Sequence, residues 1–201
     1  MLFQRRSRPV IGLDITTSSI KLIELSRSGD GYRVESYAAE PSPPNAINEK
    51  AIVDAQAVGE GVRRAVKRAG ARSKECAVAI SGDAAITKII QMPRNLREAE
   101  LESQVEMQAD QYIPFPMEEV SFDFEVIGPS EKDPDMLDVL LVAARSENVE
   151  QRQSSVQSAG LHHLVPVLAS ADDPWSIDRM LEKTHVVVCS ELAADSVRTR
   201  M

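Results

Sequence analysis

No apolar run in this sequence approaches the ~20 residues that a membrane-spanning helix needs, and the apolar stretch AVAISG is far shorter. The lead MLFQRRSRPV places three arginines ahead of a strand and lacks the apolar core of a secretory signal. It reads either as a solvated arm or as a contact with an anionic membrane surface, without direct insertion. An excess of positive charge is also missing. The formal net charge is −8 and the pI about 5.0, which argues against a nucleic-acid-binding surface. Cysteine is scarce. Cys76 and Cys189 stand alone, with neither metal spacing nor a pattern of pairs, so reduced thiols in a cytoplasm are expected. There is no internal repeat and no low-complexity segment. What is present is a 43% hydrophobic chain of 201 residues, enough for one domain or two small ones with a buried core.

Periodicity supplies the elements. VIGLDITT and SIKLIELSR read as a hairpin of two half-buried strands, Val10 to Ile15 and Ile20 to Leu25, followed by a strand from Tyr32 to Ala38. PSPPNAINEK is a proline-rich surface connection. Val53, Val58, Val62, Val66 and Ala69 then recur at helical spacing, and Gly70 stands where a C-cap belongs. ECAVAISGDAAITKIIQMP gives two strands around Ser81–Gly82–Asp83. Asn95 is placed to cap a helix from Leu96 to about Gln111, with Leu101, Val105, Ala109 and Tyr112 near one face, and Pro114 and Pro116 end it. EVSFDFEVIG alternates, with Val120, Phe122, Phe124 and Val126 on one side. DMLDVLLVAAR is a nearly continuous buried strand, and SENVEQRQSSVQSAG is a helix capped by Ser146. The order suggests two α/β layers.

Charge is concentrated. Between Leu96 and Glu125 nine acids face one base, Arg97, a difference equal to the net charge of the whole chain. The stretch is either a well-solvated helix face or a docking surface for a basic partner segment.

The turn DITTSSIK carries the chemistry. Asp14 ends a strand, and the turn after it exposes backbone N–H groups beside the hydroxyls of Thr16, Thr17, Ser18 and Ser19, with Lys21 close by. Such a turn can cradle a phosphate through its backbone donors. A carboxylate there suits a Mg²⁺ held through water. An ordinary turn with side-chain-to-backbone bonds has the same composition.

The stretch GLDITTSSIKLIELSR resembles the first phosphate loop of the actin, heat-shock chaperone and sugar-kinase superfamily. Within it, the stretch resembles the opening of the PilM family of type IV pilus assembly proteins. EMQADQYIPFPMEEVSFDFEVIG and LLVAARSENVEQRQSSVQSAGL continue that resemblance in order, so it covers residues 9 to 161. The resemblance implies an α/β fold: an actin-like (ribonuclease H-like) first lobe with an inserted α+β 1C subdomain of SHS2-like type. It divides the chain into subdomain 1A over residues 1–84, the insert over 85–158, and a return to 1A with an atypical tail over 159–201.

It further implies a cytoplasmic scaffold, peripheral at the inner membrane through its partners, that binds ATP with Mg²⁺ between two lobes. Such a scaffold recruits the short N-terminal peptide of PilN to the inner-membrane pilus assembly complex. Carried onto this chain, Asp14 is the carboxylate linked to Mg²⁺ through water, and Thr16, Thr17, Ser18, Ser19 and Lys21 form the nucleotide hairpin. Tyr112 and Phe115 are candidates for the peptide groove, with plain core packing as the alternative for Phe115. No catalytic residue is assigned. Past Leu161 the expected second phosphate loop and adenosine pocket are missing and the second lobe with them, so ATP binding by this chain is expected to be weak or absent. Adjacent histidines at 162 and 163 point to opposite faces of a strand, and no third ligand stands nearby, so no metal is assigned to them. The tail suggests a short helix from Asp173–Pro174 to Met180–Leu181 and a strand at HVVVC. An FtsA-like cell-division protein or an inactive truncated fragment is the alternative. A metabolite kinase would need a base and a sugar site that the sequence does not offer.

Overall fold

The computed structural model describes residues 9–29, 31–49, 51–80 and 84–168. β1 (Val10–Ile15) and β2 (Ser19–Ser28) form the hairpin that their alternation predicts, with Asp14 opposite Lys21 and Ile15 opposite Ile20. β3 (Gly31–Pro41) is longer than expected and pairs with the other edge of β2. The register shifts after Glu24, which leaves Glu35 as the extra residue of a bulge. The proline-rich connection is not wholly on the surface. It folds into a two-stranded ribbon, β4 (Ile47–Asn48) and β5 (Ala51–Ile52), that buries Ala46 and Ile52 in the first core.

α1 (Ala55–Ala69) starts where the Asp54 carboxylate accepts a bond from the N–H of Ala57 at 2.9 Å. It ends at Gly70, whose φ of 65° suits glycine. Val58, Val62 and Ala65 are buried against the sheet. Val53, expected on that face, precedes the cap and is exposed. The helix cannot reach back to it because the Asp54 side chain already satisfies the first turn.

β6 (Glu75–Ile80) runs parallel to β1, and β10 (His162–Leu168) runs parallel to β6. The sheet order is therefore β10-β6-β1-β2-β3, with antiparallel pairs on one side of β1 and parallel pairs on the other. This is the actin-like arrangement that the resemblance implies. Ile11, Leu13, Ile20, Leu22, Val58, Val62, Val156 and Leu161 share its core.

A second sheet, order β7-β9-β8, is built from β7 (Ala85–Pro93), β8 (Val120–Pro129) and β9 (Met136–Arg145). α2 (Glu98–Tyr112) covers one face, burying Leu101, Val105 and Ala109 against Ile90, Met92, Val139, Leu141 and Ala143. Its N-cap is Arg97 rather than Asn95. The Glu100 carboxylate reaches back to accept the Arg97 N–H at 3.0 Å, and that bond fixes the start. A single 3-10 turn, Met117–Glu119, follows the two prolines. Val126 does not share the cover over Phe122 and Phe124; it is exposed, next to a register shift between Val126 and Gly128.

The unbroken apolar run in β9 has a simple cause, because both of its faces are covered. Leu141 and Ala143 meet α2, while Val142 and Ala144 pack with Ile80 and Val149 of the neighbouring layer. α3 (Ser146–Ser158) follows β9 directly, with Arg145 at the N-cap position, and lies on α1. Contact is close because Gly59 has no side chain. A Cβ there would stand 2.6 Å from the carbonyl oxygen of Ser155. Arg63 adds a bond to the Ser158 carbonyl at 2.6 Å. The turn at Ser81–Gly82–Asp83 and the tail elements expected after residue 168 lie outside the described residues.

Candidate functional site

The tip of the β1–β2 hairpin is held by its own hydroxyls. The Thr16 N–H donates to the Ser19 carbonyl at 3.0 Å, the Thr16 hydroxyl donates to the same oxygen at 2.9 Å, and the Ser19 N–H donates to the Thr16 Oγ1 at 3.1 Å. Ser42, just after β3, clamps the turn from the side. Its N–H donates to the Ser18 carbonyl at 3.2 Å and its hydroxyl to the Thr16 carbonyl at 2.7 Å. Thr17 and Ser18 are exposed at the tip, and among the described residues no acceptor faces their amides. Of the four hydroxyl residues, then, Thr16 and Ser19 build the loop, while Thr17 and Ser18 are exposed at its tip, the Ser18 hydroxyl 3.3 Å from the Thr16 Oγ1. Exposed backbone and hydroxyl donors in a turn suit a phosphate oxygen.

Asp14 sits one step below. Its Oδ2 lies 3.1 Å from the Lys21 Nζ, and both side chains are about half exposed. Sequence reading missed a third member, Arg152 of α3. It is 2% exposed, donating from Nε to the Ala79 carbonyl at 3.1 Å and from Nη1 to the Asn148 carbonyl at 3.2 Å. Burial lowers the pKa of its guanidinium, and the charge of Asp14 opposes that shift. Ala79 follows Val78, which pairs with Leu13, the residue before Asp14, so the Arg152 anchor and Asp14 lie on neighbouring strands at the same end of the sheet. One signal was available: Val149, Arg152 and Val156 keep helical spacing on the buried face of α3.

A turn of this composition is compatible with a phosphate group. It fits Mg²⁺ on Asp14 less well, since Lys21 already engages that carboxylate. Among the described residues no cluster of three or more His, Cys, Asp or Glu side chains is arranged to hold a metal ion.

The two groove candidates fall on the α2 side of the second sheet. Tyr112 is exposed at the end of α2, with Lys88 Nζ 5.4 Å from its ring centre. Phe115 is half-buried against the second core and lies under the Arg145 guanidinium at 4.4 Å. The opposite face of that sheet is more open. Ile89 is 58% exposed and pairs with Leu140, which in turn faces Glu125; Asp123 faces Val142 on the same side. That face meets the first layer at Ile80 and Val149. At the other end of the first sheet lies a polar cavity of about 560 Å³, lined by Arg27, Arg33, Arg72 and Ser36. Within it the buried Glu24 accepts the N–H groups of Arg72 and Ser73 at 3.0 and 2.8 Å and the Ser36 hydroxyl at 3.0 Å.

A mixed sheet with a clamped hydroxyl-rich hairpin at one end and a second sheet inserted between β6 and α3 defines the first lobe of an actin-like protein. The family model of the type IV pilus assembly protein PilM matches residues 12–180, and the chain belongs to that family. The match runs past Leu161, where the sequence reading ended the resemblance.

A solved PilM–PilN type IV pilus biogenesis complex contains a chain 30% identical, with a TM-score of 0.70, covering 80% of this chain and 47% of that one. The cytoplasmic domain of EpsL, an inner-membrane component of the type II secretion system of Vibrio cholerae, is 15% identical. It covers 80% of this chain and 57% of that one at a TM-score of 0.49. A Bacteroides thetaiotaomicron protein with an actin-like ATPase fold is 9% identical, covering 82% of this chain and 55% of that one at a TM-score of 0.39. The chain thus spans about half the length of the solved relatives it matches.

Proposed function

We propose that this chain is a type IV pilus assembly scaffold that recruits the N-terminal cytoplasmic peptide of a PilN-like inner-membrane protein, with the β1–β2 hairpin contacting the phosphates of ATP. The observation that carries this reading is the 30% identity, across both units, to a chain solved in a PilM–PilN complex. The chain would then work in the cytoplasm and lie against the inner membrane through its partner. Described helices support a role without membrane crossing of their own, since none is long and apolar enough to span a bilayer.

The second sheet suggests how the peptide is held. β7 and β8 are both edges of the three-stranded sheet, and an extended segment can add to such an edge through main-chain bonds. Its apolar side chains would rest on Ile89 and Leu140, and a basic residue would approach Asp123 and Glu125. Phe115 then acts by supporting α2, and Tyr112 lies off the contact.

Ile89→Asp tests the groove. Fluorescence anisotropy with a labelled peptide from the start of PilN should show at least about a tenfold loss of affinity, on the order of 1.4 kcal/mol. The melting temperature should barely move, because Ile89 is 58% exposed. Unchanged affinity in a folded Ile89→Asp variant would remove this sheet face from the reading.

A further inference from the structure

The first sheet has two faces, and α1 and α3 pack on one of them. Ile11, Leu13, Ile20, Leu22, Cys76 and Val78 share that core with Val58, Val62 and Val156. Strand alternation sends their neighbours to the other face. There Val10 lies opposite Leu25, Gly12 opposite Ile23 and Ala77, and β3 adds Val34 beside Leu25 and Tyr37 beside Ile23. A Cβ on Gly12 would stand 3.3 Å from the Ile23 Cγ2, so the two share this outer face. None of these residues belongs to the core under α1, and Val34 and Tyr37 are 57% and 61% exposed. A sheet that is apolar on both faces calls for a second covering layer. Gly12 and Ala77 at its middle leave a shallow trough into which another backbone can settle.

Residues 169–201 follow β10, the edge strand beside β6. The family match continues past Leu168 to residue 180. Ala169 to Asp172, fully extended, spans ~13 Å and so crosses two strand spacings of ~4.8 Å. A helix starting at Asp173–Pro174 therefore begins above β6 or β1. Ile177, Met180 and Leu181 fall at i, i+3 and i+4, one apolar stripe of such a helix, with Arg179 and Glu182 opposite. Attachment to β10 gives the segment a local concentration on the order of millimolar, an advantage that a second copy lacks.

We propose that Pro174–Leu181 lies as an amphipathic helix across the outer face of the first sheet, over Gly12 and Ala77 and against Ile23, Leu25 and Tyr37. The lobe is then closed by its own chain. Neither the peptide nor the phosphate reading is needed for it.

The test places a nitroxide on Arg179→Cys in the Cys189→Ser background, where the buried Cys76 stays unlabelled, and follows the ¹⁵N amide signals of the full chain. The amides of Gly12, Ile23, Leu25 and Tyr37 should lose most of their intensity, while those of Val58 and Val62 in α1 keep theirs. Adding Ile177→Asp and Leu181→Asp should restore the lost signals. Absence of broadening at the sheet amides, broadening centred on α1, or broadening that survives the two aspartates overturns the proposal. A mixture of unenriched spin-labelled chain with ¹⁵N-enriched chain lacking the label completes it. Sharp signals there support the tethered segment, whereas broadening of the same amides assigns the face to a second copy and overturns the proposal.

Discussion

Replacing Gly59 by alanine sets two energies against each other. Alanine is the better helix former by ~1 kcal/mol, so propensity alone makes the variant more stable. The new Cβ, however, would stand 1.7 Å from the Ser158 Oγ and 2.6 Å from the Ser155 carbonyl oxygen, and the latter belongs to the backbone of α3 and cannot rotate away. Forcing the helices apart costs ~1–3 kcal/mol by the usual measure of overpacking. Displacing the Ser158 hydroxyl also breaks its 2.9 Å bond to that carbonyl, a loss of ~1 kcal/mol. The net expectation is a loss of ~1–3 kcal/mol, or roughly 2–12 °C in Tm for a chain of this size. Gly61, two residues along the same helix, is the control. Its Cβ would meet the Ile20 Cδ1 at 2.5 Å, the far end of a side chain that can turn aside. Urea denaturation followed by circular dichroism should rank Gly61→Ala near wild type and Gly59→Ala clearly below it. If Gly59→Ala proved as stable as Gly61→Ala, the close α1–α3 contact would be refuted.

Two further substitutions probe buried polar groups. Glu24→Ala removes the acceptor shared by the Arg72 and Ser73 amides and should cost ~2–4 kcal/mol in denaturant titrations, with Glu24→Gln recovering about half. Cys76 is buried, and burial pushes its thiol up to about 12 from 9.0. The unfolded chain therefore loses this proton first. Stability should be unaffected below about pH 9 and then fall by up to ~1.4 kcal/mol per unit toward pH 12. Comparing the slope with Cys76→Ala isolates the thiol, and Ellman's reagent should fail to label Cys76 in the folded Cys189→Ser variant.

The first hairpin, α1 with its Gly70 cap and the strand–helix return through β9 and α3 were legible because period and cap agree along those segments. The start of α2 was not. Asn95 is a good cap by type, but Glu100 bonds the Arg97 amide, and a reciprocal bond three residues away decides the boundary. The ribbon in the proline-rich segment escaped notice because two-residue strands have no period to read. At the site, Asp14 and the hydroxyl turn stood out by composition. Arg152 did not, since a buried arginine in a helix of Glu, Gln and Ser looks like one more solvated charge until its bond to the Ala79 carbonyl of β6 is seen. The open face of the second sheet was hidden for the opposite reason. Ile89 lies in a run that reads as core, and only the pairing with Leu140 turns it outward.

Ala85 at the start of β7 lies directly opposite Ala144 near the end of β9. The polypeptide thus goes into and comes out of the second sheet through a single doorway, two adjacent strands wide, beside Ile80 and α3. A module attached in this way can be exchanged, lengthened or lost without unthreading its host. Under the proposed function, partner choice changes by swapping one cassette while the β1–β2 hairpin stays as it is.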